Sequence, residues 1–117
     1  MPDARRDRDY LEDIYEAIQK VQEYTKEQSW EQFCADDKTQ DAVIRNLEVL
    51  GEAAKRISPQ FRKRFSQIPW TEMAGTRDRL IHHYFGINRE TVWQIIQHEL
   101  PALLNLIKSL IDTFPDY

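Results

Sequence analysis

Apolar residues recur at spacings of three and four along four long stretches of this 117-residue chain, and that period constrains its fold more than anything else. Over residues 7–24 they are Tyr10, Leu11, Ile14, Ala17, Ile18, Val21 and Tyr24. Over residues 39–57 they are Val43, Ile44, Leu47, Leu50, Ala54 and Ile57. A third stripe runs through Trp70, Met73/Ala74, Leu80/Ile81 and Tyr84/Phe85, and predicts a helix that Pro69 starts and Gly86 ends. The fourth begins at Asn88, an expected N-cap, passes Val92/Trp93, Ile95/Ile96 and Leu100, and resumes after a kink or restart at Pro101 as far as Phe114. Only three glycines and five prolines interrupt the chain, and no stretch alternates clearly with the period of a strand. The expected fold is all-α, a bundle of four main helices with short extra helical turns. One extra turn is expected at Ser29-Trp30, and another within the basic connection 59–67. Gly51 costs its helix about 1 kcal/mol relative to alanine, which points to a close helix crossing there. One domain covering 1–117 is expected, with 1–6 and 115–117 as frayed termini.

Several function classes drop out at this stage. A single cysteine, Cys34, leaves no internal disulfide and reads as a small buried hydrophobe in a reducing compartment. The first ten residues are charged throughout, unlike a signal peptide, and no apolar run approaches the roughly 18 residues of a membrane span. A cytoplasmic protein with no membrane association is expected. His82 and His83 are adjacent and diverge by about 100° on a helix, so they do not share a metal ion, and no metal or other cofactor is expected. His98 has no metal-spaced partner and reads as structural or exposed. Trp30, Trp70 and Trp93 read as core anchors rather than base-stacking platforms.

The net charge of −4 hides a strong polarity. Residues 1–37 hold eleven acids and five bases, whereas 38–98 hold ten bases and six acids. Lys55, Arg56, Arg62, Lys63 and Arg64 occur with no acid between Ala53 and Thr71. Such a block serves either as a basic face for RNA or as an ordinary solvated surface.

The third stripe carries the chemistry. Arg77 sits where the pattern asks for an apolar residue, so a guanidinium is expected at or near a packed surface, where it needs a partner. Glu48 and Glu52 are candidates, although both also have local partners in Arg45 and Arg56. Tyr84 lies seven residues from Arg77 and nearly on one line with it; His82 lies five away and points about 140° aside. Asp78, four residues before His82, is placed to orient the imidazole. By spacing alone, the same residues also describe a surface histidine with a nearby carboxylate and a snorkelling arginine.

Arg77-x4-His82-x-Tyr84 resembles the R-x4-H-x-Y motif of HepT-type HEPN-domain proteins, the toxin partners of MNT-type nucleotidyltransferase antitoxins. The stretch Arg45-Asn46-Leu47-Glu48-Val49-Leu50-Gly51-Glu52-Ala53-Ala54-Lys55 is similar to that family's middle helix. Ile68-Pro69-Trp70 and Val92-Trp93-Gln94-Ile95-Ile96 match it in the right order, so the resemblance covers residues 7–114. Asp78 departs from the pattern, standing where many relatives carry asparagine. The resemblance implies metal-independent cleavage of RNA, with Arg77 and His82 catalytic, Asp78 and His83 supporting, and Tyr84 the site of AMPylation by the nucleotidyltransferase. Arg79 and the basic residues Lys55, Arg56, Arg62, Lys63 and Arg64 are the expected RNA contacts.

Cleavage of this kind takes a proton from the ribose 2′-hydroxyl and returns one to the leaving 5′-oxygen, work suited to an imidazole titrating near neutrality. An arginine fork suits the charge that develops on the phosphate. One histidine does not comfortably do both jobs, and the divergent helical geometry leaves each motif incomplete. Both facts point to a homodimer whose two copies of Arg77 and His82 share one cleft. Two rivals remain open on the residues alone: a non-catalytic helical module that binds a nucleotidyltransferase, and an RNA-binding protein without turnover.

Overall fold

The computed structural model describes residues 5–82 and 86–114, and over them the fold is the expected all-α bundle. Helix α1 covers Asp7–Thr25, α2 Trp30–Cys34 and α3 Asp37–Arg56. They are followed by α4 (Pro59–Arg64), α5 (Trp70–Ala74) and α6 (Thr76–Leu80). Strands β1 (Ile81–His82) and β2 (Gly86–Ile87) come next, then α7 (Arg89–Gln94), a π-helical turn (Ile95–Glu99) and α8 (Leu100–Thr113).

Local sequence accounts for most of these boundaries. Ser29 and Gln32 cap α2 reciprocally: the Gln32 N–H donates to Ser29 Oγ at 3.1 Å, and the Ser29 N–H to Gln32 Oε1 at 2.8 Å. Asp36 accepts the Thr39 N–H at the start of α3, and Asn88 accepts the Thr91 N–H at the start of α7. Ser58 starts α4 and also fastens it elsewhere, its N–H and Oγ donating to the two carboxylate oxygens of Asp7 at 2.8 and 2.7 Å. Before Pro101 the chain winds a π turn, in which the Leu100 N–H reaches the Ile95 carbonyl five residues back. Proline has no N–H to give the Gln97 carbonyl, so an ordinary helical turn there would lose a bond.

Helix α3 is the central element. It lies along α1, receives α5 and α6 on another side, and α8 returns against α1. One continuous apolar core joins these layers, with Leu11, Ile14, Val21, Val43, Leu47, Ile57, Leu80 and Ile107 almost wholly buried. Phe61, Phe65 and Trp70 close one end, the Phe61 and Phe65 rings 4.6 Å apart. At the other, Trp93 packs on Phe33 and Trp30 on Trp93, so all three tryptophans pack against the core. No helix among the described residues is long and apolar enough to cross a membrane.

Gly51 meets its expectation. A Cβ built there stands 3.1 Å from the Met73 carbonyl oxygen and 3.8 Å from Thr76 Cβ, tighter than an ordinary contact, so a side chain there has to push the α5–α6 junction back from α3.

One buried polar residue, Gln40, holds the peripheral elements. Gln40 donates to the carbonyls of Phe33 and Cys34 at 2.7 and 3.1 Å and accepts from Arg89 Nε at 3.3 Å, tying α2 and α7 to α3. Gln40→Leu strands those acceptors, and we expect a loss of about 1–3 kcal/mol, read as a fall in the midpoint of urea unfolding. An unchanged midpoint would mean that α2 is held by packing alone.

The third helix of the sequence reading is corrected. It does not run unbroken to Gly86: Gly75 separates α5 from α6, and α6 stops at Leu80. Ile81 then pairs with Ile87, and His82 with Gly86, in a two-stranded antiparallel ladder, while the Asn88 N–H donates to the Leu80 carbonyl at 2.7 Å. Gly86 has a φ of +76°, a left-handed backbone that favours glycine, but on strand β2 rather than at a helix end.

Candidate active site

Breaking the helix at Gly75 changes which residue faces the core. Thr76, not the neighbouring position, continues the buried stripe from Met73 to Leu80. Burial of its hydroxyl is tolerated because Thr76 Oγ1 donates to the Met73 carbonyl at 2.7 Å. Arg77 is thereby turned outward with 72 % of its side chain exposed, and the expectation of a guanidinium at a packed surface is wrong. Its partner is Glu48 of α3, with Arg77 Nε 3.6 Å from Glu48 Oε2. Glu52 takes the local alternative, Arg56, also at 3.6 Å. One of the two local pairs anticipated for these carboxylates therefore forms, and the other gives way to a long-range contact.

Arg77 and Glu48 open onto a groove of about 500 Å³ between α1, α3 and the α5–α6 segment. Ala53, Val49 and Ala74 contribute apolar wall; Arg5, Arg45, Lys55 and Arg56 add cations; Asp13, Glu48 and Glu52 add carboxylates. Arg5 is held at 2.8 Å by Asp13. In the sequence Arg45 stands in the stretch similar to the family's middle helix and as a possible partner for Glu48, with no part in the site. Its position was legible nonetheless, since 45, 48, 52 and 56 are spaced three and four apart and share one face of α3.

His82 follows α6 directly, on β1. The four-residue spacing of Asp78 and His82 places them on one face only if a helix continues through residue 82, whereas His82 stands on β1; Asp78 itself is exposed on α6, and the His82 side chain lies outside the described structure. The expected roles of His83 and Tyr84 fall outside the described residues.

The expected RNA contacts divide into two groups. Arg79 is bound to Glu99 by two hydrogen bonds, Nη1 to Oε1 at 3.0 Å and Nη2 to Oε2 at 2.7 Å, which tie α6 to the π turn. Arg62 donates to the Ile57 and Lys55 carbonyls and so caps the C-terminal end of α3. Arg64 lies over the rings of Phe65 and Phe114 at 5.2 and 5.0 Å. These three cations are engaged within the fold. Lys55 and Arg56 face the groove, and Lys63 is exposed on α4.

The Arg79–Glu99 pair has a pH consequence. Hydrogen bonds from Arg79 hold the Glu99 carboxyl below its ordinary range, against a smaller opposing effect of burial, and the pair raises Arg79. A depressed carboxyl stabilises the fold above the unfolded-state pKa, and that contribution disappears as pH falls through the lower folded value. Glu99→Gln is therefore expected to lower the melting temperature slightly at pH 7, by a gap that shrinks as the pH is taken down through the carboxylate range towards pH 3, because an exposed pair is worth at most about 1 kcal/mol. Paired thermal melts at the two pH values test this; an equal gap at both would exclude the ion pair as its source.

Among the described residues, no cluster of three or more His, Cys, Asp or Glu residues is arranged to hold a metal ion.

Comparison with known proteins agrees with the resemblance. The family model described as "Ribonuclease HepT-like" matches residues 14–110. The chain is 46 % identical over 106 residues to the "Probable ribonuclease HepT" of Thermococcus cleftensis, covering 91 % of this chain and 96 % of the relative. It is 43 % identical over 104 residues to the "Putative RNase MJ0127" of Methanocaldococcus jannaschii, covering 89 % and 86 %. No solved structure matches the chain significantly.

Proposed function

The chain belongs to the HepT-like ribonuclease family, and from that premise we propose that it is a homodimeric, metal-independent endoribonuclease, the toxin of a HEPN/MNT toxin–antitoxin pair. The observation that carries this reading is the state of Arg77. Its guanidinium is exposed on a groove, restrained by one contact at 3.6 Å, on the helix that leads directly into the backbone bearing His82. A guanidinium needed only for stability would be expected in a tight pair such as that of Arg79.

In the proposed reaction an imidazole of His82 removes the 2′-hydroxyl proton. The 2′-oxygen attacks the adjacent phosphorus, and the bond to the 5′-oxygen breaks as that oxygen takes up a proton. The products are a 2′,3′-cyclic phosphate and a free 5′-hydroxyl, and no water or metal ion enters the step. Arg77 neutralises charge on the phosphate oxygens as the bond order changes. Base and acid are two copies of His82, one from each protomer across a two-fold axis. An MNT-type nucleotidyltransferase silences the enzyme by placing AMP on Tyr84, where added negative charge repels the RNA phosphate.

The test is cleavage of a fluorogenic RNA in excess EDTA by the wild type and by His82→Ala. Wild-type cleavage that survives the chelator and a variant slower by about 10²–10⁴-fold are the expected results. A purified His82→Ala dimer cutting at the wild-type rate would remove the proposal. In co-expression with the nucleotidyltransferase, Tyr84→Phe is expected to escape AMPylation, and mass spectrometry locating AMP on another residue would contradict that assignment.

A further inference from the structure

The groove beside Arg77 holds more positive charge than the cleavage motif uses. Arg45 and Arg56 lie eleven residues apart on α3, so they fall on nearly one line about 16 Å long. Arg77 reaches this row from α6 through Glu48, and Lys55 borders the same groove. Among the described residues, Arg45 and Lys55 have no carboxylate within 4.0 Å, and Glu48 holds Arg77 at 3.6 Å. The contrast with Arg79, clamped at 2.7 Å, is informative. Cations held this loosely exchange a carboxylate for a phosphate at little cost, because the new charge-assisted bonds are shorter and stronger.

We propose that this groove takes a single strand of RNA by its phosphates, with Arg45 and Lys55 as phosphate-binding residues outside the cleavage motif. Setting aside the Arg5–Asp13 and Arg56–Glu52 pairs, the described residues of the groove offer Arg45, Lys55 and Arg77 against Glu48. That is an excess of two positive charges, with Glu48 as the counter-ion a phosphate would displace. A volume of about 500 Å³ is that of a small-ligand cleft, the size of a nucleotide or two of one strand and far smaller than a duplex segment. The row of charge is long enough for several phosphates at the roughly 3.4 Å per charge of a stacked strand. The run Arg62-Lys63-Arg64 is displaced from this role, since Arg62 and Arg64 serve the fold.

The identity of the polyanion rests on the ribonuclease reading, so the experiment separates the two. Binding is measured by fluorescence anisotropy with a labelled single-stranded RNA, using the full chain carrying His82→Ala so that the probe stays intact, over a series of salt concentrations. Adding Arg45→Gln or Lys55→Gln is expected to weaken binding and to reduce the slope of log K against log salt by about 0.7 each. Glu48→Gln is expected to tighten binding by removing a competing anion, while Lys108→Gln on α8 leaves affinity and slope unchanged. A duplex of equal length is expected to compete poorly. Wild-type affinity and slope in both Arg45→Gln and Lys55→Gln would overturn the groove assignment, even if the protein with His82 intact still cleaves RNA. Reduced slopes alongside a wild type that cuts nothing would leave the groove standing and remove the nuclease.

Discussion

Replacing Arg77 with alanine is expected to slow RNA cleavage by about 10²–10³-fold, the range seen when one preorganised donor to a developing oxyanion is lost. The fold should survive, because the side chain is largely solvent-exposed and its single contact with Glu48 is loose. The thermal midpoint is accordingly expected to stay within a degree or two while turnover collapses. Lysine at this position is expected to recover little, because an ammonium lacks the planar fork that spans two phosphate oxygens. A mixed dimer sharpens the result. Under a shared cleft that needs both copies of His82, a wild-type protomer paired with a His82→Ala protomer should cut almost as slowly as the His82→Ala homodimer. A mixed dimer that keeps about half of the wild-type rate would show that each protomer works alone.

The second large effect is expected at Gly51. In Gly51→Val the Cβ arrives 3.1 Å from the Met73 carbonyl oxygen, and the two methyl groups crowd the Thr76 side chain. Overpacking of this kind costs about 1–3 kcal/mol, whereas the gain from removing a helical glycine is at most about 1 kcal/mol. Backbone on both sides leaves little room to relax, so destabilisation should win, with the melting temperature lowered by several degrees. The same substitution pushes α5 and α6 away from α3 and carries Arg77 with them, so cleavage should fall even where the protein remains folded. A variant that melts at or above the wild-type temperature would show that the crossing has slack.

The long helices were legible because their buried faces repeat: Val43, Leu47, Leu50 and Ala54 are all inside, and Ser29, Ser58 and Asn88 cap where short polar residues precede a stripe. The strand pair was not. Leu80/Ile81 and Tyr84/Phe85 satisfy the helical period, and strands of two residues are too short to show alternation. Arg77 was read one position out of phase because a single glycine, Gly75, resets the stripe onto Thr76. The Arg77–Glu48 contact was one of several equal options until α6 was docked on α3, since local and distant partners look alike in sequence. Arg62 and Arg64 illustrate the opposite error. A basic run reads as a nucleic-acid patch, and nothing in the letters reveals that one member caps a helix and another covers aromatic rings.

The π turn ahead of Pro101 bears on how this architecture tolerates changes in length. A turn of that type is an ordinary helix that has taken in one additional residue without re-aiming the flanking faces, so Val92 before it and Leu103 and Ile107 after it all remain directed inward. Homologous chains one residue shorter across positions 95–99 can therefore superpose on both halves with no loop to accommodate the difference. A gap between such sequences would mark a change in winding rather than a missing piece of surface.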